Sequence, residues 1–450
     1  MGEHRAPLAP KPAHRPRRIP FWQHLRLFRR DILSAQPSHL YGAKMAEFRT
    51  PFFRSYLLNE PQLLDDVLRQ RPGDFPKSGR IAEGLRPLLG SSVFLTNGET
   101  WARQRRIIDP AFAGGRLQES FAAMRAAGEA AQARLVDGPV EIEAAMSHAA
   151  ADVIFRTLFS LPIEDAVAAQ VFRAFRRYQR SQPLINLAAF LPLPSWLPRP
   201  HRRATRAAAA EIRHLFEQLV ADRLDALENG TAPDDLATKI LTTKDPQTGD
   251  GFSAAEMVDQ VAIFFLAGHE TSASSLSWAL YLLSLDPVAQ DRVREEAKQA
   301  PSFRDVKAMR YTRDVFREAL RLYPPVPMMV REASQPERFR KRVVQTGGQL
   351  VLSPWHLHRA PQHWDAPDRF WPERFATAAG ASAAREVYLP FSAGPRVCPG
   401  AGFAMLEGPL LLSMLVAAFE FSPVPGREPV PVAHLTVRGR DGIWLNVHRR

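Results

Sequence analysis

One cysteine, Cys398, stands in a chain of 450 residues. A lone thiol cannot close an internal disulfide, so nothing here asks for an oxidising compartment. Uninterrupted apolar runs of membrane-spanning length are also missing. The two most apolar stretches, 257–285 and 401–419, are broken by Asp259, His269 and Glu270 and by Glu407, and they read as buried core helices with no transmembrane anchor. The opening "MGEHRAPLAPKPAHRPRRIP" lacks the apolar segment of a secretory signal. There is no internal repeat and no Ser/Gly linker. These absences leave a single cytoplasmic domain as the expectation.

Basic charge is what the chain has in excess. The net charge is +12, but residues 1–30 hold eight basic side chains against one acid, Glu3, and so carry +7 of it. A basic tail is by itself a weak sign of nucleic acid, and none is expected as a partner. Residues 1–20 read as a Pro-rich, disordered tail and 21–450 as the folded unit. Just after the tail, "FWQHLRLFRRDIL" sets Phe21, Trp22, Leu25 and Phe28 on one helical face. That face suits either a peripheral membrane contact or packing on the body.

Helical periodicity covers 114–136, 140–160, 163–180, 201–228, 254–285, 287–299, 307–323 and 400–419. Strand-like pieces are few and short: 53–58, 349–353 and 442–448. The fold class this implies is mainly α with a minor β-sheet.

Cys398 lies in "FSAGPRVCPG" (391–400) and directly precedes Pro399, Gly400 and a long apolar helix. Proline favours the first helical position, and a helix start favours a thiolate through its free N–H groups and positive dipole end. Arg396 adds positive charge. Three readings stay open: an inert buried thiol, a nucleophile, or a metal ligand. Without a second cysteine a zinc site is poorly served, whereas a single thiolate suits a metal whose other ligands come from a macrocycle such as heme.

A second cluster, "FFLAGHETSASSL", places Glu270 and Thr271 in an otherwise apolar helix. Burying a carboxylate is costly unless it has partners or a task, and Thr271 is set to bond a carbonyl one turn back. A pair turned to solvent is the bland alternative, disfavoured by the apolar residues on every side. Glu318 and Arg321 in "EALRLYPP" are close enough to pair on a helix, which alone is a common surface feature. "WARQR" (101–105) and "FWPERF" (370–375) mean little in isolation.

Together these clusters resemble the cytochrome P-450 superfamily of heme-thiolate monooxygenases. Phe391, Gly394, Arg396, Cys398 and Gly400 fill the heme-ligand loop pattern, which Ala404 and Glu407 continue. Ala267 to Thr271 match the oxygen-activating helix motif. Glu318, Arg321 and Arg374 match the Glu-x-x-Arg set with its third partner, and Trp101 with Arg105 matches Trp-x-x-x-Arg. Pro399 and Pro409 depart from the usual pattern, and Pro409 is expected to kink its helix. "AGHET", "LRLYPP" and "FAMLEGP" are most similar to bacterial soluble members, including carotenoid and fatty-acid hydroxylases.

The resemblance implies a single-domain P-450 fold, with heme b between the central oxygen-activating helix and the cysteine-loop helix. Cys398 would be the axial iron ligand, Phe391 its shield, and Ala267 and Gly400 cofactor contacts. Trp101, Arg105, Arg331 and Arg396 would hold the propionates. Glu270 and Thr271 would carry protons for the use of O2. Glu318, Arg321 and Arg374 would be structural. A hydrophobic substrate would meet Ile263, Ala267, Val326, Met328, Met329 and the loop 79–95, under a roof formed by 183–198. Electrons would come from a separate ferredoxin or flavodoxin with its NAD(P)H-dependent reductase. A heme-thiolate peroxygenase or isomerase, or a non-catalytic heme sensor, is the rival, and the intact Glu270–Thr271 pair argues against each.

Overall fold

A computed structural model describes residues 6–16, 18–49, 54–113, 116–181, 202–297, 301–433 and 435–450. The expected roof, 183–198, lies outside them. The axis of the molecule is the helix Ala254–Ser284, here called the central helix. Its start is fixed by a capping box in which Ser253 and Glu256 satisfy each other's backbone N–H groups. Apolar residues surround it on all sides, so it must be covered on all sides. The helix Ile142–Phe159 packs along one flank and Arg203–Glu228 along another. Arg310–Leu322 and Ala401–Ala418, the thiol helix, lie against a third. Trp278 of the central helix stacks on Tyr323, with ring centroids 3.8 Å apart, which ties its far end to the segment after Arg310–Leu322.

The thiol helix is long and apolar enough to cross a membrane, but 67% of it is buried within the body, as a core helix requires. It runs unbroken through Pro409. Gly408 lets it approach its neighbour, because a Cβ there would stand 2.2 Å from the Phe316 ring.

The sheets are small. Met45–Arg49, Arg54–Leu58, Gln349–Leu352 and Met329–Glu332 form one in that order, with 54–58 parallel to 349–352 and the other pairs antiparallel. Gly138–Glu141, Trp444–Arg449 and Phe419–Pro423 form a second, antiparallel one. A hairpin of Pro431–Ala433 and Val437–Gly439 reaches toward the middle of the central helix.

Two expectations need correction. The 79–95 segment is not a loop throughout, since Gly79–Leu89 is helical with Ala82, Leu85, Leu88 and Leu89 buried. The Pro-rich start is not a solvated tail from Ala6 onward. The Ala9 N–H donates to Asp368 O at 2.8 Å, Phe370 N–H donates to Pro7 O at 3.0 Å, and Tyr323 donates to Pro10 O at 3.0 Å. Ala9 is buried, and Lys11 pairs with Asp368. Proline-fixed extended backbone presents its free carbonyls to these donors, which composition alone does not reveal. The helix Phe21–Arg30 leaves Trp22 exposed and Leu25 and Phe28 half-buried.

Candidate active site

The loop before the thiol helix is shaped by backbone demands. Gly394 has φ +69°, and a Cβ there would fall 1.9 Å from Leu68 O, so glycine is required. The Cys398 N–H donates to Phe391 O at 3.0 Å and closes the loop on itself. Phe391 packs half-buried against the main core. At Gly400 the φ is ordinary and a Cβ would meet nothing nearer than the thiol sulfur, at 3.9 Å. Hydrogen there keeps the approach to the sulfur open.

Cys398 is deep in the protein, and yet its surface is open. The two facts agree only if the sulfur faces an internal space. Burial pushes its pKa up, while the Gly400 N–H and the Arg105 charge pull it down. The central helix shows the matching gap. It is buried along most of its length, but Ala267 is exposed and Phe264, Gly268 and Thr271 are half-open. The two openings belong to adjoining elements, because Ser272 donates to Glu407, about two and a half turns beyond Cys398, at 2.7 Å. Burial raises the Glu407 pKa to about 8, with the Ser272 hydrogen bond opposing it.

On the rim, Trp101 gathers cations. The guanidinium carbons of Arg396 and Arg105 lie 5.1 and 5.9 Å from its ring centroid, and Lys77 Nζ lies 5.8 Å away. Lys77 pairs with Arg331 across a backbone bridge. Arg105 bonds Asp109 at 2.6 Å and Val397 O at 2.8 Å. Among the described residues no carboxylate is within ion-pair distance of Lys77, Arg331 or Arg396, and the Nε atoms of Arg331 and Arg396 are buried without a partner. Burial and then its arginine neighbours push the Lys77 pKa down to about 6, and Arg331 falls to about 10 for the same two reasons. Unpaired buried cations are costly. Such a cluster has room for a multiply charged anion.

These features fit heme b. Among the described residues no group of three or more His, Cys, Asp or Glu could hold a metal ion, so an iron at Cys398 would draw its other ligands from a macrocycle. The unpartnered guanidinium atoms suit two propionates.

Glu270 does not point to solvent. It is 5% exposed and is held from three sides. Gln179 of the helix Ala166–Ser181 donates to Oε1, Thr436 donates to Oε2 at 3.3 Å, and Arg438 Nη2 stands 3.6 Å from Oε2. Thr271 donates to Ala267 O at 2.6 Å, the bond to the carbonyl one turn back. Gly268 serves packing and does not leave space, because a Cβ there would lie 2.2 Å from Ile154 Cδ1. His269 is fully buried among the rings of Phe172, Phe175 and Phe265, and burial, then Arg438, lower its pKa to about 3.

Glu318 binds Arg321 through both oxygens, at 2.7 and 2.8 Å, and takes Arg374 Nε at 2.8 Å. Burial pushes its carboxyl up, but the two arginines outweigh burial and hold it below its usual range. Arg321 also donates to His358 O, and His358 Nε2 accepts the Leu389 N–H at 2.8 Å. The cluster therefore reaches the start of the thiol loop. Of the expected pocket residues, Ile263 is buried in the main core, and Val326, Met328 and Met329 are half-buried. Phe94, which the sequence reading passed over, is 44% exposed beside Val93, and the Val93 backbone bonds both Gln260 of the central helix and Lys77. Gln179, Thr436, Arg438 and Lys77 also escaped it, since no local pattern marks them. A surface hollow of about 380 Å³ lined by Pro87, Arg206, Ala210, Arg213 and Glu217 shares no residue with this site.

The family model for cytochrome P450 matches residues 14–445. Among curated proteins, cyclooctat-9-en-7-ol 5-monooxygenase of Streptomyces melanosporofaciens is 32% identical, over 91% of this chain and 90% of its own length. A cytokinin hydroxylase of Arabidopsis thaliana is 29% identical over 86% of this chain and 77% of its own. Taurochenodeoxycholic 6 alpha-hydroxylase of Sus scrofa is 30% identical over 87% and 82%.

Proposed function

The chain belongs to the cytochrome P450 family and is a heme-thiolate monooxygenase, and from that premise we propose how its own residues serve the reaction. Heme b supplies the redox centre at which O2 is used and one of its oxygen atoms enters a C–H or C=C bond of the substrate. Cys398 would hold the heme iron through its thiolate, and the observation that carries this is a sulfur deep in the protein yet open to an internal space. Trp101, Arg105, Arg331, Arg396 and Lys77 would hold the propionates. Phe391 and the Gly400 N–H shield and tune the sulfur. Glu270 relays a proton through its carboxyl and Thr271 passes it on at its hydroxyl, beside the opening at Ala267.

The open face of the central helix, together with Phe94, Val326, Met328 and Met329, is apolar, which supports a hydrophobic substrate. The relatives' names specify three different substrates, so similarity does not choose among them. Cyclooctat-9-en-7-ol, named in the bacterial relative, is a first compound to try. Electrons arrive from an NAD(P)H-dependent reductase through a separate ferredoxin or flavodoxin in a bacterial cytoplasm, and the net positive charge favours an acidic carrier of that kind.

The reduced carbonmonoxy spectrum tests the ligand. The native protein should show the thiolate red shift, and Cys398→Ser should lose it. A native spectrum without that shift ends the assignment. Thr271→Ala should keep heme and substrate binding while product formed per electron pair falls about tenfold or more, a loss that starts below the full worth of a general-acid contact. Unchanged coupling removes Thr271 from the proton path.

A further inference from the structure

Glu270 has a competitor for its arginine. Glu143, in the first turn of the helix Ile142–Phe159, stands 3.7 Å from Arg438 Nε, while Glu270 stands 3.6 Å from Arg438 Nη2. The guanidinium lies midway and closes on neither carboxylate. Arg438 Nε donates instead to Thr436 Oγ1 at 3.3 Å, and that hydroxyl donates to Glu270 Oε2 at 3.3 Å. Gly439 N–H reaches Glu143 Oε2 at 3.3 Å, so the hairpin backbone is anchored to the outer carboxylate as well. Arg438 is about one-third exposed, Glu143 is 14% exposed and Glu270 5%. The three form a graded path from the surface to the central helix.

One guanidinium between two carboxylates leaves one negative charge uncompensated when both are ionised. We propose that Glu143 is a positioning residue that acts through Arg438, its charge state setting how firmly Glu270 is held and so when Glu270 is free to take a proton from water at the exposed edge of Arg438 and pass it toward Thr271. With Glu143 ionised, Arg438 is drawn outward and Glu270 is loosened. With Glu143 neutral, Arg438 closes on Glu270 and keeps it tied as a carboxylate. This rests on the proton-carrying reading of Glu270 and Thr271.

The surroundings place the change in a usable range. Burial raises the Glu143 pKa to about 7, with Arg438 and the Gly439 N–H opposing and Glu141 and Glu270 adding to the rise. Glu141, at the helix N-cap, spends an oxygen on the Ala144 N–H at 3.0 Å. Around Glu270, Gln179 faces it from the helix Ala166–Ser181, Thr436 and Arg438 face it from the hairpin, and burial, then the Glu270 charge, raise the Tyr178 pKa.

The test uses the heme-loaded enzyme with its redox partner and a turned-over substrate, reading product per electron pair at about pH 6 and about pH 8, on either side of the Glu143 titration. The native enzyme should gain about fivefold across that interval, the scale of one modest ion pair. Glu143→Gln should stay at the low value throughout, and Glu143→Asp should restore the rise. In an Arg438→Gln background, Glu143→Gln should have no further effect, because the two act through one contact. A carbonmonoxy spectrum like the native one in each variant excludes misfolding as the cause. A native-like rise in Glu143→Gln, with Glu270→Gln strongly uncoupled, overturns this inference alone. Native coupling in Glu270→Gln overturns the proton-carrying reading and this inference with it.

Discussion

Two arginine clusters in this molecule look alike in composition and are opposite in state. At Glu318, two buried guanidinium groups surround one carboxylate, and their remaining N–H groups donate to the carbonyls of His358, Asp365, Ala366, Pro367 and Arg369. Around Trp101, among the described residues, four cations face one exposed acid, Asp109, and two Nε atoms are buried without a partner. A finished network of this kind serves the fold. An unfinished one is completed by something else, and the missing part must be an anion. The contrast separates structural charge from ligand-binding charge without reference to any relative.

The largest way to break it is Glu318→Ala. The change leaves Arg321 and Arg374 buried with no counter-charge, a loss of about 3–5 kcal/mol for one partner of a buried pair. The expected result is a protein that fails to retain heme and unfolds early in denaturant, since the cluster reaches Leu389 and the thiol loop through His358. A variant with native stability and a native heme spectrum would show that the network does not brace the loop.

How much of this was legible in the sequence follows the same division. Cys398 with its loop, Glu270–Thr271 and Glu318–Arg321 are local, set by spacing along one helix or one turn, and each is visible in a string of letters. The helix ends at 254–284, 310–322 and 401–418 fall within three residues of the periodicity reading. Lys77, Gln179, Thr436 and Arg438 reach their places only through tertiary packing, from "FPKSGR", a helix face and a hairpin that carry no motif. The space beside Gly268 is taken by Ile154, a partner more than a hundred residues away that the local letters do not name. The start of the chain is not legible from composition, because proline and arginine are common both in solvated tails and in extended segments laid over a body.

Arg331→Met sharpens the comparison by reversing the sign. Removing an unpaired buried charge should leave the cofactor-free chain as stable as before, or more so. The same change should weaken heme binding by about 1.5–3 kcal/mol, the range for hydrogen bonds to charged groups. Denaturant unfolding of the cofactor-free chain and heme transfer to a competing acceptor measure the two effects separately. If Arg331→Met destabilises the cofactor-free chain as Glu318→Ala does, Arg331 belongs with the structural cluster.

The smallest expected effect is at Lys77, and it is read through pH. Burial holds its folded-state pKa near 6, against an ordinary 10.5. Between those values the unfolded chain binds a proton that the folded, cofactor-free chain does not, so stability rises with pH across the window, by about 1.4 kcal/mol per unit at most. It falls as pH drops toward about 6, and below that Lys77 is charged in both states and contributes no slope. Propionates supply the absent counter-charge, so cofactor binding at neutral pH should return the proton to Lys77 and remove its share of the slope. Heme titration in two buffers of different ionisation enthalpy should therefore show about one more proton taken up by the native chain than by Lys77→Met. Equal proton uptake in the two would place Lys77 outside the anion site and leave the arginines to hold it alone.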